Sequence, residues 1–173
     1  NNEAILAEAS DEDVLPEIRI DGELVSPLTF DGCYRLDPEH PLAVPAPGDS
    51  TITTMLTLSA SSGEILRSAC TLEPVTGVYM GDTYVALTHV RWDLEEGGTM
   101  VHLLDRDSFD YIGSEKVEGD LYSGGNVDFR ISESSGALRL VTTQWTGDPE
   151  DSFRHRLYVV GPEANAPELE VLG

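Results

Sequence analysis

Lysine is almost missing from this chain. Only Lys116 among the 10 basic residues is a lysine, and the ten face 32 acidic residues for a net charge of −22. Nucleic acid and anionic membranes are dense in negative charge, so this composition excludes both as expected partners. No apolar run approaches the ~18–20 residues that cross a bilayer, and no membrane insertion is expected. Cysteine is scarce: Cys33 and Cys70 are the only two, and neither lies in a C-x-x-C or zinc-spaced motif. In an oxidising compartment they could form one disulfide around the proline-rich segment. In a reducing compartment they would be small buried hydrophobes. The chain opens without methionine and carries no signal peptide, which reads as a processed or trimmed product.

Catalytic signatures are missing too. There is no G-x-S-x-G elbow. Ser59, Ser61, Ser62, Ser132, Ser134 and Ser135 cluster in turns, where serine hydrogen-bonds the backbone. Neither G-x-G-x-x-G nor a P-loop occurs, and Gly124-Gly125 lacks the strand–helix context of a phosphate site. His89 and His102 fall on neighbouring predicted strands, where a metal pair would need a further ligand such as Asp93; ordinary strand histidines are the favoured reading. No catalytic residue is assigned, and the expectation leans away from an enzyme.

What is present is β-structure. Apolar residues make up 40% of the 173 residues, enough for a core. No segment carries a useful helical apolar stripe. The pattern predicts strands near 52–58, 64–70, 76–80, 83–90, 99–105, 110–117, 127–132, 137–144, 156–160 and 168–172, separated by turn residues at Gly63, Gly81-Asp82, Gly97-Gly98, Gly124-Gly125, Ser135-Gly136 and Gly147-Asp148. Leu15–Ile20 reads as an edge strand entered through Pro16. Residues 37–50, with Pro38, Pro41, Pro45 and Pro47, exclude helix and central strand and read as a surface loop. The division is therefore an acidic, proline-rich segment over 1–50, with an edge strand, and strand-rich units over 51–173.

These strands repeat. Thr53–Leu58 is echoed by Thr99–Leu104 and again by Arg156–Val160. Val78-Tyr79, a Gly81-Asp82 turn and Tyr84–Leu87 correspond to Val127–Ile131, a Ser135-Gly136 turn and Leu138–Val141. A period of about fifty residues built from short strands marks a β-propeller blade. The expected fold is all-β and propeller-like, with antiparallel four-stranded blades, about two and a half of them.

The series Val117-Glu118-Gly119, Asn126–Glu133, Gly136–Thr143 and Leu157–Val160 resembles the secreted prokaryotic proteins with a β-propeller domain distantly related to WD repeats. The resemblance covers roughly residues 50–173. It implies an extracytoplasmic propeller, secreted, periplasmic or in the cell envelope, without established chemistry. A ring needs about 4–8 blades, so the chain is expected to be a piece of a longer protein or to assemble with copies of itself. Open sheet edges make self-association an expectation.

Ligand candidates are few. Trp92 and Trp145 each follow a strand aligned to the same blade position. They could form a shallow aromatic platform for a glycan or peptide, although inter-blade core or loop anchoring is the more frequent role of such residues. Asp105, Asp107 and Asp110 have a spacing that suits Ca²⁺ oxygen ligands, but the EF-hand pattern fails at Phe109 and Lys116 and the stretch reads first as a hairpin capped by Asp. The high negative charge reads first as a solvated surface, with salt adaptation or collection of cations as alternatives. Screening of self-repulsion predicts a melting temperature that rises with added salt, and a flat or falling response removes the salt-adapted reading. The leading expectation is a non-enzymatic binding or scaffolding module for a protein or glycan, without cofactor. The alternatives are a fragment of a hydrolase-like propeller enzyme and a Ca²⁺-stabilised extracellular structural domain.

Overall fold

β-branched and aromatic residues between glycine-containing turns produce thirteen strands among the described residues, and no α-helix. The computed structural model describes residues 13, 15–29, 32–36, 51–91, 97–121, 130–148, 152–163 and 169–173. The chain divides into two compact units, Asn1–Pro74 and Val75–Gly173.

In the first unit, β1 (Ile18–Ile20) and β2 (Glu23–Val25) form an antiparallel hairpin. Asp21 and Gly22 both have positive φ, 51° and 93°, as a two-residue turn of matching twist requires. A three-stranded sheet of order β3-β5-β4 follows, from β3 (Cys33–Tyr34), β4 (Thr53–Leu58) and β5 (Ile65–Thr71). β4 pairs antiparallel with β5, but β3 runs parallel to it. This is the one departure from antiparallel pairing among the described strands. Its register places Cys33 opposite Cys70, and the two are joined by a disulfide with a Cα–Cα separation of 4.4 Å. Cys70 is fully buried, and the Ser68 hydroxyl donates to the Pro27 carbonyl at 2.5 Å, tying the incoming chain to β5.

The second unit holds two four-stranded antiparallel sheets. The first blade comprises β6 (Gly77–Met80), β7 (Tyr84–Arg91), β8 (Gly98–Asp105) and β9 (Tyr111–Val117). The second comprises β10 (Ile131–Ser134), β11 (Ala137–Trp145), β12 (Phe153–Pro162) and β13 (Leu169–Val171). Each is a meander with its strands in chain order. Propeller-like blades are therefore what the sequence builds. The two later echoes, Thr99–Leu104 and Arg156–Val160, sit on the third strand of each blade. The earlier echo, Thr53–Leu58, is instead an edge of the mixed sheet, paired only with β5 among the described strands. The expected strand at 127–132 is found as Ile131–Ser134; its residues 127–129 lie outside the described set, as do the 37–50 loop and the acidic residues 1–12. β2 and β3 were not expected: both are too short to show a period.

The core of the second unit lies between its blades. Tyr84, Ala86, Val101 and Leu103 of the first blade meet Leu138, Leu140, Val160 and Leu169 of the second. β7 and β8 are buried almost throughout, on both faces, which accounts for the near-continuous apolar run Tyr84–Leu87. β11 alternates buried and exposed residues, so only one of its faces is covered.

Candidate functional site

Three features of the second unit bring polar or aromatic side chains together. The first is a clamp at one end of the two blades. The Glu133 carboxylate, on β10, accepts from the Thr83 amide at 3.0 Å and the Tyr84 amide at 3.4 Å. In return the Glu133 amide donates to the Tyr79 hydroxyl at 3.1 Å, and the Tyr84 hydroxyl donates to the Gly136 carbonyl at 3.2 Å. Gly81 makes room for this: a Cβ there would come within 2.1 Å of a Glu133 carboxylate oxygen. Burial by itself would raise the Glu133 pKa, but the donors of Thr83, Tyr84 and Asp82 outweigh it and the net shift is downward.

The second is a buried polar chain on the first blade, on the face away from the inter-blade core. Pairing of β7 with β8 puts His102 opposite Leu87 and His89 opposite Met100, so the two histidines are diagonal neighbours on one face. Pairing of β8 with β9 puts His102 opposite Ser114. The Ser114 hydroxyl shares hydrogen bonds with His102 Nδ1 at 2.5 Å and with the Tyr111 hydroxyl at 2.6 Å. Serine beside histidine is the geometry of an activated nucleophile. Here burial, helped by the neighbouring His89 and Arg91, lowers the His102 pKa to about 4. An imidazole that weak takes up a proton poorly near neutral pH, and Ser114 is itself buried. Among the described residues no group of three or more His, Cys, Asp or Glu is placed to hold a metal ion; Asp93 lies outside them.

This histidine makes stability acid-sensitive. In the unfolded chain His102 takes its proton near 6.5, and in the folded chain only near 4. Its contribution is complete above pH 6.5 and is lost as pH falls through that window, roughly 3 kcal/mol in all. Glu133, whose folded pKa is lowered, also loses its contribution as pH falls, at the acid end. Denaturant melts between pH 7 and pH 4 check this. The His102→Gln variant is expected to show a flatter pH dependence; an unchanged slope would exclude His102 as the source.

The acidic stretch forms the β8–β9 turn. One Asp105 carboxylate oxygen accepts from the amides of Asp107 and Ser108, each at 2.8 Å, and from the Ser108 hydroxyl at 3.2 Å. The Asp105 amide donates to the Asp110 carbonyl at 2.8 Å. Phe109 closes the turn with φ 66° and a buried ring. Asp107 and Asp110 are exposed at its rim. Asp105 thus serves its own turn.

The third feature is the uncovered face of the second blade. β11 and β12 pair Arg139 with Val159, Val141 with Leu157, Thr143 with His155 and Trp145 with Phe153. Trp145 is 61% exposed, Phe153 56%, Leu157 61% and Val141 40%. Trp145 and Phe153 meet edge to face with centroids 5.0 Å apart. The Thr143 hydroxyl links Arg130, at 3.0 Å, to His155, at 3.0 Å. Leu172 lies across Gly161, which has no Cβ to hold it off. The result is two exposed apolar pairs, Val141 with Leu157 and Trp145 with Phe153, separated by the polar pair of Thr143 and His155. Trp145 therefore stands beside Phe153, a partner that sequence reading did not name; Trp92 lies outside the described residues. Phe153 was legible only through the register of the β11–β12 hairpin, whose turn includes Gly147 with φ 76°.

Among the described residues no helix is long and apolar enough to cross a membrane. A family model described as "Beta propeller domain" matches residues 1–173. No match was found among curated proteins or among solved structures.

Proposed function

Because the chain belongs to the β-propeller domain family, we propose that it is a non-enzymatic binding or scaffolding module of an extracytoplasmic protein, secreted or held in the cell envelope. The observation that carries this reading is the uncovered face of the second blade, where the apolar pairs Val141–Leu157 and Trp145–Phe153 stand in solvent on either side of Thr143 and His155. Exposed apolar side chains rimmed by polar groups are a feature of interaction sites. Folds of this kind act as rigid frames whose surfaces and loops do the recognising. The Cys33–Cys70 disulfide supports an oxidising compartment.

One observation favours the alternative of a hydrolase-like propeller enzyme, namely the Ser114–His102 pair. Its burial and the low pKa of His102 weigh against that use. The test is a panel of chromogenic esters, glycosides and phosphates offered to the wild type and to Ser114→Ala. Equal background rates are the expected result. Turnover that disappears in the serine variant would replace the binding reading with the enzymatic one.

A further inference from the structure

We infer that a groove in the first unit receives basic side chains of a partner polypeptide. It stands apart from the second-blade face, between the β1–β2 hairpin and the β4–β5 turn. Its volume is about 440 Å³, within the ~300–1,000 Å³ of ordinary ligand sites. Strand register builds one wall. Ile18 pairs with Val25 and Ile20 with Glu23, and directly paired residues project from the same face. Ile20, Glu23 and Val25 therefore share the side of the hairpin that lines the groove. The β4–β5 turn builds the other wall. Gly63, with φ 71°, lets the chain reverse there, and Glu64 and Ile65 follow it into the lining. Asp21, in the hairpin turn, completes the rim. The groove is apolar at Ile20, Val25 and Ile65, which are half-buried, and anionic at Asp21, Glu23 and Glu64, which are exposed.

Charge decides the occupant. Among the described residues, none of these three carboxylates has a hydrogen-bond or ion-pair partner. Unit Asn1–Pro74 holds fourteen acidic residues, and its lysines and arginines are Arg19, Arg35 and Arg67 alone. Arg19 donates to the Gly22 carbonyl, and none of the three arginines lines the groove. The counter-charge must come from outside the unit. The described residues bring no three carboxylates, histidines or cysteines close enough to hold one metal ion. Carboxylates spread along two walls suit charges carried on long side chains. Arginine and lysine have an apolar stem under a charged head. The stem packs on Ile20, Val25 and Ile65 while the head reaches the rim. A free small amine fits less well, because small ligands bind with about 70–90% of their surface buried, and the rim here is exposed. A polypeptide adds contact around the groove, and a chain of net charge −22 steers a basic partner toward itself.

The test is fluorescence anisotropy of a dye-labelled peptide of alternating arginine and leucine, titrated with the full chain at ~0.1 M NaCl, where the Debye length is about 10 Å. Saturable binding is expected, and a peptide with glutamate in place of arginine is expected to stay free. Glu23→Gln with Glu64→Gln is expected to weaken binding at least ~10-fold. Asp107→Asn with Asp110→Asn removes the same charge from an exposed turn of the second unit and is expected to change it less than ~2-fold. Absence of saturable binding overturns the proposal, as does binding that ignores the Glu23 and Glu64 changes. Equal weakening by the two pairs overturns it in favour of a diffuse attraction to the whole acidic surface. Spermidine that binds the groove as tightly as the peptide overturns it in favour of a free amine ligand. Each of these failures leaves the second-blade reading untouched, since the groove belongs to the other unit.

Discussion

Aspartate at Val101 is expected to unfold the second unit, whereas aspartate at Leu157 is expected to leave it folded. The two residues hold the same place in successive blades, each opposite the strand residue that faces it across the second and third strands. Val101 is fully buried between the blades and Leu157 is 61% exposed. A carboxylate at Val101 would be an unpaired charge in an apolar core, a loss of more than ~4 kcal/mol. At Leu157 the charge is hydrated, and the change stays within about 1 kcal/mol when measured on dilute protein, where association adds nothing. Denaturant titration followed by near-UV circular dichroism reads both. Similar losses at the two sites would mean that the blades are not in equivalent register.

Removing the disulfide is expected to lower the stability of the first unit by about 3–4 kcal/mol. Cys33 and Cys70 are 37 residues apart, and opening a loop of that size returns this much entropy to the unfolded chain in the loop-closure description. The loss should be confined. Unit Asn1–Pro74 contains both cysteines, while unit Val75–Gly173 contains neither. Calorimetry of the Cys33→Ser, Cys70→Ser variant is therefore expected to move one transition down and leave the other in place. Two unmoved transitions would show that β3 is held by its hydrogen bonds and packing alone.

Much of the second unit was legible because each blade is local in sequence. The echo of Thr99–Leu104 in Arg156–Val160 marks the third strands, and turn residues such as Ser135-Gly136 mark the hairpins. The propeller-like class follows from those features. The first unit was harder to read. β3 is two residues long and pairs in parallel with a strand far along the chain, so neither period nor turn chemistry announces it. Its echo, Thr53–Leu58, has the right composition but a different neighbour.

Side-chain partnerships were legible only where they reduce to a hairpin register. Trp145 with Phe153 is such a case. Ser114 with His102 depends on a one-residue irregularity between β8 and β9 near Leu103 and Leu104, so counting along the strands gives no reliable pairing. Glu133 is one of 32 acidic residues, and nothing in its local sequence singles it out as the one received by the Thr83 and Tyr84 amides.

The Glu133 clamp has a geometric consequence. It fastens one end of two neighbouring sheets at hydrogen-bond length, while Leu103, Leu138 and Leu140 wedge them apart along their bodies. A short tether at the rim and a fixed filling behind it define a dihedral step from sheet to sheet. Any ring built by repeating that step inherits its circumference from this pairwise rule: the number of members is decided between two neighbours, before the circle closes.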